Sequence, residues 1–417
     1  MVNIKKKQYA IVFAIILFIF SLGAYILMVR THMQELWWLL DLDVYYSAGQ
    51  TIWHNHNLYQ ALYTSVHLPF LYSPLAALLF ALTSAIPFSI LKVCMAIANI
   101  ATLVGIIWVA LGLLGYQRTV GRAAATLAIA GITLWMEPIQ QTLLFGQVNL
   151  LLMGAIIVDL SLPDSKPWKG IGVGFAAGFK LTPAIFIVYL LLTRRFRAAG
   201  VALGTFVATI IIGFMLLPSE SSQYWGGLFL NSSRVGVTFV SNQSLYGTVL
   251  RLFQGADAAH LYWLVIAGLV GIVGLGLATW ASLHGEELLG ILTCALTGLL
   301  VSPISWSHHW VWIVPLIVFV IHLAVAKQAT FGGLAVGLIV LFSAWLSIIW
   351  QVPYRDNREF HWYGLQHLAG ELYVVVGIFL LALLAFIVLR RYLQTENASF
   401  KNAVRAYLLA IKPARAK

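Results

Sequence analysis

The sequence predicts an all-α, polytopic membrane protein, and three observations support this prediction. Hydrophobic residues make up 61% of the 417 residues and charged residues only 9%, whereas an average soluble domain has roughly 25% charged residues. Long apolar runs recur along the chain, and a helix of about 20 apolar residues can cross the hydrocarbon core of a bilayer. Basic clusters flank several runs, as the positive-inside rule describes. We therefore expect a transmembrane bundle of about 10 to 12 spans by the same length rule.

The individual spans follow from the lengths of the apolar runs. The long, uninterrupted runs lie near residues 9–30, 89–114, 198–217, 260–281, 310–326, 331–350 and 371–390. The shorter or interrupted runs lie near residues 72–87, 123–136, 147–160, 170–193 and 288–301. Because proline removes a helix donor, we expect breaks at Pro87 and at Thr182-Pro183. Broken helices at membrane depth usually line a cavity.

Basic residues predict the orientation of the chain in the membrane. The clusters are Lys5-Lys6-Lys7, Arg194-Arg195-Phe196-Arg197, Lys327 and Arg390-Arg391. If they stay inside, both termini are cytoplasmic and the polar segments 31–71, 218–259, 302–309 and 351–370 lie outside. The same anchoring explains the net charge of +11, so we expect membrane lipids rather than nucleic acid as partners. We expect one membrane domain over residues 1–395 and a basic cytoplasmic tail over residues 396–417.

Asp41 and Asp43 are the first candidate functional residues. They belong to a chain with only 14 acidic residues, and they lie between Trp37-Trp38 and Tyr45. Acids among apolar side chains are desolvated, which raises the pKa and favours proton-transfer chemistry. In a helix, residues two apart point to different sides, so we expect only one of the two to act. The aromatics and amides of residues 41–74 suit a sugar-lined pocket, although Trp37, Trp38, Tyr45 and Trp53 could instead form an interfacial aromatic belt.

Lys180 and the His308-His309 pair are the second set of candidates. Lys180 is a lone cation within a long apolar stretch, where an unpaired charge costs several kcal/mol. It could hold an anionic group such as a lipid phosphate, or it could snorkel to the headgroups. The histidines adjoin Trp306 at a membrane boundary, and either could donate to a phosphate or a sugar hydroxyl.

Amide and basic side chains near apolar segments complete the candidates. Such residues form a polar lining in some membrane proteins, but they also bridge helices in ordinary bundles. They are Gln147, Asn149, Asn242, Gln243 and Arg251. Glu137 could be functional or could simply begin a helix. Cys94 and Cys294 lie inside apolar runs and have no metal-ligand spacing.

Taken in chain order, the segments that contain these candidates resemble the actinobacterial polyprenyl-phosphate-mannose-dependent α-mannosyltransferases, which form glycosyltransferase family 87 of the GT-C superfamily. The matching motifs are Asp41-Leu42-x-Val44-Tyr45, Leu68-Pro69-Phe70-x-Tyr72-x-Pro74, Gly146-Gln147-x-Asn149, Lys180-Leu181-Thr182-Pro183, Asn242-Gln243-Ser244 and Ser302-Pro303-x-Ser305-Trp306-x-His308-His309. The resemblance implies a GT-C fold and a catalytic acid in the first external loop. It also implies a lipid-phosphosugar donor, a mannosylated glycolipid or lipoglycan acceptor, and an α-1,2 linkage formed on the extracytoplasmic face.

The resemblance also suggests roles for the candidate residues in an inverting transfer without a cofactor. Asp41 is the expected general base, and Asp43 is the alternative. The expected ligands of the donor phosphate are Lys180, His308, His309 and Arg251. The expected contacts of the sugars are Tyr45, Tyr72, Gln147, Asn149, Asn242, Gln243 and Trp306. Asp41 and Asp43 have the spacing of a DxD metal motif, but a monophosphate leaving group can be held by cationic side chains, so we expect no metal.

Two other classes of protein remain open. A transporter or flippase of a lipid-linked sugar would use Lys180 and the broken helices as its substrate path. A non-enzymatic membrane subunit would leave the clustered polar residues without a role.

Overall fold

The computed structural model of the protein describes residues 2–32, 39–54, 57–231, 234–326 and 330–390. Apart from one two-stranded antiparallel ribbon, its regular elements are helical. The helices are α1 Val2–His32, α2 Leu40–Trp53, α3 Pro74–Thr83, α4 Phe88–Leu113, α5 Val120–Thr133, α6 Glu137–Phe145, α7 Asn149–Leu160, α8 Ile171–Phe179, α9 Ile185–Leu192, α10 Phe196–Leu216, α11 Pro218–Trp225, α12 Leu245–Leu252, α13 Ala258–Leu283, α14 Glu287–Val301, α15 Ile313–Ala326, α16 Thr330–Leu341, α17 Leu365–Gly370 and α18 Leu372–Arg390. The ribbon pairs β1 Leu62–Tyr63 with β2 Leu68–Pro69.

Short 3₁₀ segments connect several of these helices. They lie at Thr182–Ala184, Leu228–Leu230, Ser307–Trp312, Ile348–Trp350 and Arg358–His361. Trp37 and Trp38, and the predicted basic tail, lie outside the described residues.

Several helices are long and apolar enough to cross a membrane. The described residues contain 6 such segments, within α1, α4, α10, α13, α18 and the stretch Ser307–Ala326. Helices α6 and α7 form a further apolar pair that bends by 116° at the break between them. Shorter apolar helices, such as α3 and α14, accompany these segments. The prediction of a polytopic helical membrane protein is therefore confirmed, but the described residues contain 6, or up to 7, candidate spans, fewer than the total of about 10 to 12 predicted from run lengths.

The breaks predicted from proline are also confirmed. Helix α3 ends at Thr83, and Pro87 is the N-cap of α4. The apolar run 170–193 divides into α8 and α9, with Lys180 as the C-cap of α8.

The predicted span 331–350 differs from the observed structure, because α16 ends at Leu341. Beyond it, the chain pairs with the start of α6 instead of remaining helical. The Phe342 carbonyl accepts a hydrogen bond from the Glu137 amide at 2.7 Å, and the Ala344 amide donates to the Trp135 carbonyl at 2.8 Å. Apolar character alone does not reveal this competing backbone pairing.

Helix α14 lies at the centre of the bundle. Every residue from Leu288 to Leu300 is buried, as expected of a helix that is hydrophobic on all sides. Helix α13 packs closely along it, because Gly274 presents no side chain to Thr297. A Cβ atom added at Gly274 would lie only 2.0 Å from the Thr297 hydroxyl oxygen. Small residues allow such close helix approach inside membranes.

Helix α2 brings the first polar segment into the bundle. The Leu39 amide donates to the Leu144 carbonyl near the end of α6 at 2.7 Å, and Leu39 itself has a left-handed backbone with φ 55°. One face of α2, including Leu42, is buried. Asp41 is consequently placed beside the junction of α6 and α7.

Candidate functional site

A tight turn between α6 and α7 forms the centre of the candidate site. Gly146 ends α6 with φ +68°, a left-handed conformation that glycine adopts readily. The Gln147 amide then donates back to the Thr142 carbonyl at 2.8 Å, which completes a Schellman-type helix end. A Cβ atom at Gly146 would lie 2.6 Å from Cβ of Leu42. The absence of a side chain here therefore lets α2 approach the turn.

Asp41 is bound to this turn through Gln147. The Gln147 side-chain amide donates to Oδ2 of Asp41, and its carbonyl oxygen accepts from the hydroxyls of Tyr45 at 2.8 Å and Tyr72 at 3.0 Å. The two hydroxyl oxygens are themselves 2.8 Å apart. The structure thus joins four residues that the sequence analysis had selected from three separate segments.

The two acids of the first segment have different surroundings. Helix α2 is not one of the candidate membrane spans. Burial raises the pKa of the Asp41 carboxyl to about 6, although the Gln147 hydrogen bond and the charge of Lys180 oppose the rise. Asp43 accepts a hydrogen bond from the Ser47 hydroxyl at 3.3 Å, within its own helix. Asp41 therefore has the environment of a general base that works near neutral pH.

Lys180 provides a cation next to this cluster. Helix α8 stops at Phe179, and Lys180 continues in an extended conformation. Its Nζ atom lies 2.8 Å from Nε2 of His309 and 3.3 Å from Oδ1 of Asn149, and 5.4 Å from the centre of the Tyr72 ring. No carboxylate of the described ranges forms an ion pair with it. The ammonium group is thus available to bind an anion.

His308 is buried with both ring nitrogens lacking a hydrogen-bond partner in the described part of the chain. Its backbone is held firmly, because its carbonyl accepts from Asn149 at 3.0 Å and Thr142 at 3.2 Å. The ring packs against Phe145 and His309, with centroid distances of 5.6 and 4.9 Å. Buried polar atoms are rarely left unpaired in native proteins, so this ring is well suited to contact a ligand.

A small groove, with a cavity volume of about 60 Å³, begins at this polar cluster. Asn149, Lys180 and His309 line one part of it. The remaining wall is mainly apolar and includes Leu152, Met153, Ile156, Ile185, Phe186, Leu299, Val311 and Trp312. A ligand with an anionic head and a hydrocarbon chain matches this division.

Several predicted site residues lie elsewhere. Asn242 and Gln243 are fully buried, and their side-chain amides bond backbone groups of Pro303, Ser305 and Gly370 among others. Their roles in sugar binding stay predictions, while the geometry shows that they brace the segment before the histidines.

Arg251 and Trp306 are also not brought to the cluster. The Arg251 guanidinium is buried in an ion pair with Glu371, with an Nε–Oε1 distance of 2.6 Å. Trp306 forms a backbone bridge with Asn242, and its ring packs near Phe239 at 6.5 Å. Their predicted contacts with donor and sugar remain untested predictions.

Glu137 is a buried brace at the start of α6. It accepts hydrogen bonds from the Tyr373 hydroxyl at 2.6 Å and the Trp350 indole at 2.8 Å. The reading of Glu137 as part of a helix terminus agrees with this position.

Asn99 and Thr142 also hold the site, although neither was predicted from the sequence. Asn99 donates from its side chain to the Gln147 carbonyl at 3.0 Å, and Thr142 bonds the His308 carbonyl as described above. An amide within the long apolar run of α4 was the signal that could have revealed Asn99. In the described ranges, no three His, Cys, Asp or Glu side chains come together as a metal site would require.

Replacing Gly146 by alanine tests whether the turn depends on glycine. We expect Gly146→Ala to destabilise the protein by about 1–3 kcal/mol, the usual cost of a strained backbone position, with further cost from the contact with Leu42. Thermal unfolding in detergent measures this. Gly200→Ala is the matched control, because nothing lies within 4 Å of its added Cβ atom. Equal melting temperatures for the two variants would contradict the prediction.

Comparison with known proteins agrees with the resemblance found in the sequence. The family model of glycosyltransferase family 87 matches residues 70–303. A polyprenol-phosphate-mannose-dependent α-(1-2)-phosphatidylinositol pentamannoside mannosyltransferase of Mycobacterium tuberculosis CDC 1551 is 37% identical over 289 residues, which cover 68% of this chain and 66% of the relative.

Two further relatives align over more of the chain. A polyprenol-phosphate-mannose-dependent α-(1-2)-phosphatidylinositol mannoside mannosyltransferase of M. tuberculosis H37Rv is 32% identical, covering 80% of this chain and 82% of its own. A polyprenol-phosphate-mannose-dependent α-(1-2)-phosphatidylinositol pentamannoside mannosyltransferase of Mycolicibacterium smegmatis is 33% identical, and the alignment covers 83% of this chain and 85% of the relative. No solved structure gives a significant match. The family match and the extent of these alignments show that the chain belongs to glycosyltransferase family 87.

Proposed function

We propose that the protein transfers mannose from polyprenyl-phosphate-mannose to a mannosylated glycolipid or lipoglycan, forming an α-1,2 linkage. The names of three relatives support the donor and the linkage, and they indicate phosphatidylinositol mannosides as the acceptor class. The arrangement of the site supports the type of reaction.

The position of Asp41 and Lys180 around Tyr72 carries the proposal. The Tyr72 hydroxyl bonds Gln147, which holds Asp41, while the Lys180 ammonium lies 5.4 Å from the centre of the same ring. A base and a cation are therefore close together, and the cation lines the polar part of an apolar groove. Glycosyl transfer from a lipid phosphate needs a proton acceptor, an anion-binding group and a path for the hydrocarbon chain, and this site offers all three.

In the proposed reaction, Asp41 accepts the proton of an acceptor hydroxyl as that oxygen attacks the anomeric carbon of mannose. The bond between this carbon and the phosphate oxygen breaks, and its electron pair leaves on polyprenyl phosphate. A single displacement inverts the anomeric carbon, so a β-linked donor gives an α-mannoside. General-base catalysis of this kind contributes about 10²- to 10⁴-fold.

Lys180 and the histidines would stabilise the leaving phosphate. Lys180 supplies positive charge, and the unpaired nitrogens of His308 can bond a phosphate oxygen or a sugar hydroxyl. Charges and dipoles that are fixed before the reaction stabilise developing charge most effectively in a site that excludes water. The apolar part of the groove would hold the isoprenoid chain.

The positive-inside rule supports a site on the extracytoplasmic face. The basic cluster Arg194, Arg195 and Arg197 follows α9, whereas Lys180 precedes it. If the cluster is cytoplasmic, Lys180 is directed towards the other side of the membrane. Cytoplasmic termini follow from the same rule.

Mannose transfer by the purified protein in proteoliposomes tests the proposal. We expect radiolabel from polyprenyl-phosphate-mannose to enter phosphatidylinositol mannosides, and an α-1,2-specific mannosidase to release it. A chelator should leave the rate unchanged, and protein-free liposomes provide the control. Movement of the labelled donor across the bilayer without transfer to any acceptor would instead favour a flippase.

A further inference from the structure

The hydrogen bonds of Gln147 indicate a role in addition to lining a pocket. We propose that Gln147 is a positioning residue that orients the Asp41 carboxylate, and that Tyr45 and Tyr72 fix the direction of the Gln147 amide. This inference rests on the proposed function, since Asp41 is the base of that reaction.

The contacts of Gln147 permit only one favourable direction for its side-chain amide. Its carbonyl oxygen accepts from two tyrosine hydroxyls, and its NH₂ group donates to the Asp41 carboxylate. An ionised carboxylate can only accept hydrogen bonds. Rotating the amide by half a turn would place its oxygen against this carboxylate, where neither group can donate. The carboxylate therefore requires the NH₂ group on its side, and the two hydroxyls support this direction by donating to the carbonyl oxygen.

The groups that hold Gln147 are themselves held in place. Its backbone carbonyl accepts from Asn99, and its backbone amide donates to Thr142. The Tyr45 ring stacks on Phe80 at 4.4 Å with an interplanar angle of 9°. The amide is thus supported by α2, α4 and α6 at once.

Gln147 bonds only one of the two Asp41 oxygens. Within the described ranges, Oδ2 receives the Gln147 bond, and Oδ1 has no hydrogen-bond partner. This bond restrains the orientation of the carboxylate and leaves Oδ1 for the proton of the acceptor. A base must lie within hydrogen-bond reach of the proton it accepts, so a freely rotating carboxylate would meet the acceptor less often.

The Gln147 bond should also set the pH range in which the base works. A hydrogen bond donated to a carboxylate stabilises its ionised form. The other ionisable groups facing Asp41 are Lys180, whose charge acts in the same direction, and the tyrosines 45 and 72. Removing the Gln147 donor should therefore require a higher pH to ionise Asp41.

Gln147→Met tests this role, because methionine has a similar length and cannot donate. In the pH profile of kcat/KM for mannose transfer, activity is lost at low pH along the acid limb. We expect the midpoint of this acid limb to rise by about one pH unit. The rate should fall most at low pH and recover in part as the pH rises through the shifted pKa of Asp41. An unchanged acid limb with an equal loss at every pH would overturn the proposal, since that result indicates only a structural role.

Gln140→Met is the matched control. Gln140 is a buried glutamine like Gln147 and lies on α6. Its side-chain amide donates to the Leu134 carbonyl at 2.6 Å instead of to Asp41. We expect its acid limb to coincide with that of the wild type. If Gln147→Met does not fold, the double variant Tyr45→Phe with Tyr72→Phe serves instead. This double variant keeps Gln147 but removes both hydroxyls that bond its side-chain carbonyl. The midpoint of the acid limb should rise more than in either single variant.

Infrared titration separates failure of this inference from failure of the proposed function. The carboxyl stretch of Asp41 is identified by its loss in Asp41→Asn. We expect its titration midpoint to rise in Gln147→Met, whether or not the protein transfers mannose. An unchanged midpoint would refute the positioning role, while absence of transfer by the wild type would refute only the proposed function.

Discussion

Asp41→Asn is expected to lower the rate of mannose transfer by about 10²- to 10⁴-fold, the usual contribution of a general base. Asparagine keeps the size of the side chain and can still accept the Gln147 hydrogen bond, but it cannot take up a proton. Asp43→Asn should retain most of the activity, because Asp43 bonds Ser47 on its own helix. Single-turnover transfer at saturating donor measures both variants.

The pH dependence of the wild type should reveal the same group. Burial raises the pKa of Asp41 to about 6, and the base must be ionised to act. Activity should therefore be present above this pH and be lost as the pH falls through it. If Asp43→Asn loses activity while Asp41→Asn keeps it, the two acids have been assigned in the wrong order.

Lys180→Met is expected to lower kcat/KM by about 10²- to 10³-fold, similar to the removal of one donor that stabilises a developing negative charge. Methionine retains an unbranched apolar chain and removes the ammonium group. Binding of polyprenyl phosphate itself should weaken as well, because this product carries the anionic group that Lys180 is proposed to bind. Transfer assays and product inhibition measure these two effects.

Lys92→Met is the matched control for Lys180→Met. Lys92 lies on α4, where its ammonium is 4.9 Å from the centre of the Phe88 ring. Lys180→Arg retains a positive charge in a different shape, and we expect it to recover part of the activity. Wild-type rates and product inhibition in Lys180→Met would contradict an anion-binding role.

The candidate site residues that are easiest to predict from the sequence are charged residues within apolar segments. Asp41 and Lys180 are charges in apolar surroundings, and their cost in such a place indicates a use for them. The break at Thr182-Pro183, close to Lys180, was predicted because proline interrupts a helix. These features depend on neighbours in the sequence, so a single chain is enough to recognise them.

The observed positions of Arg251 and Gln243 depend on contacts between residues that are distant in the sequence. Arg251 pairs with Glu371 across 120 positions, and Gln243 bonds the carbonyl of Gly370. Nothing near Arg251 in the sequence shows that its charge is already neutralised. The end of α16 was missed for the same reason, because the backbone that replaces the helix pairs with residues near the start of α6.

The turn between α6 and α7 has a consequence for how the protein responds to its lipid environment. Long spans change their tilt when bilayer thickness changes. Asp41 and the His308 backbone, however, are both tied to this one turn, through Gln147 and Asn149. Their separation is fixed by local bonds rather than by the tilt of separate helices. Membranes of different thickness should thus alter how lipid substrates enter the protein more than they alter the chemical step.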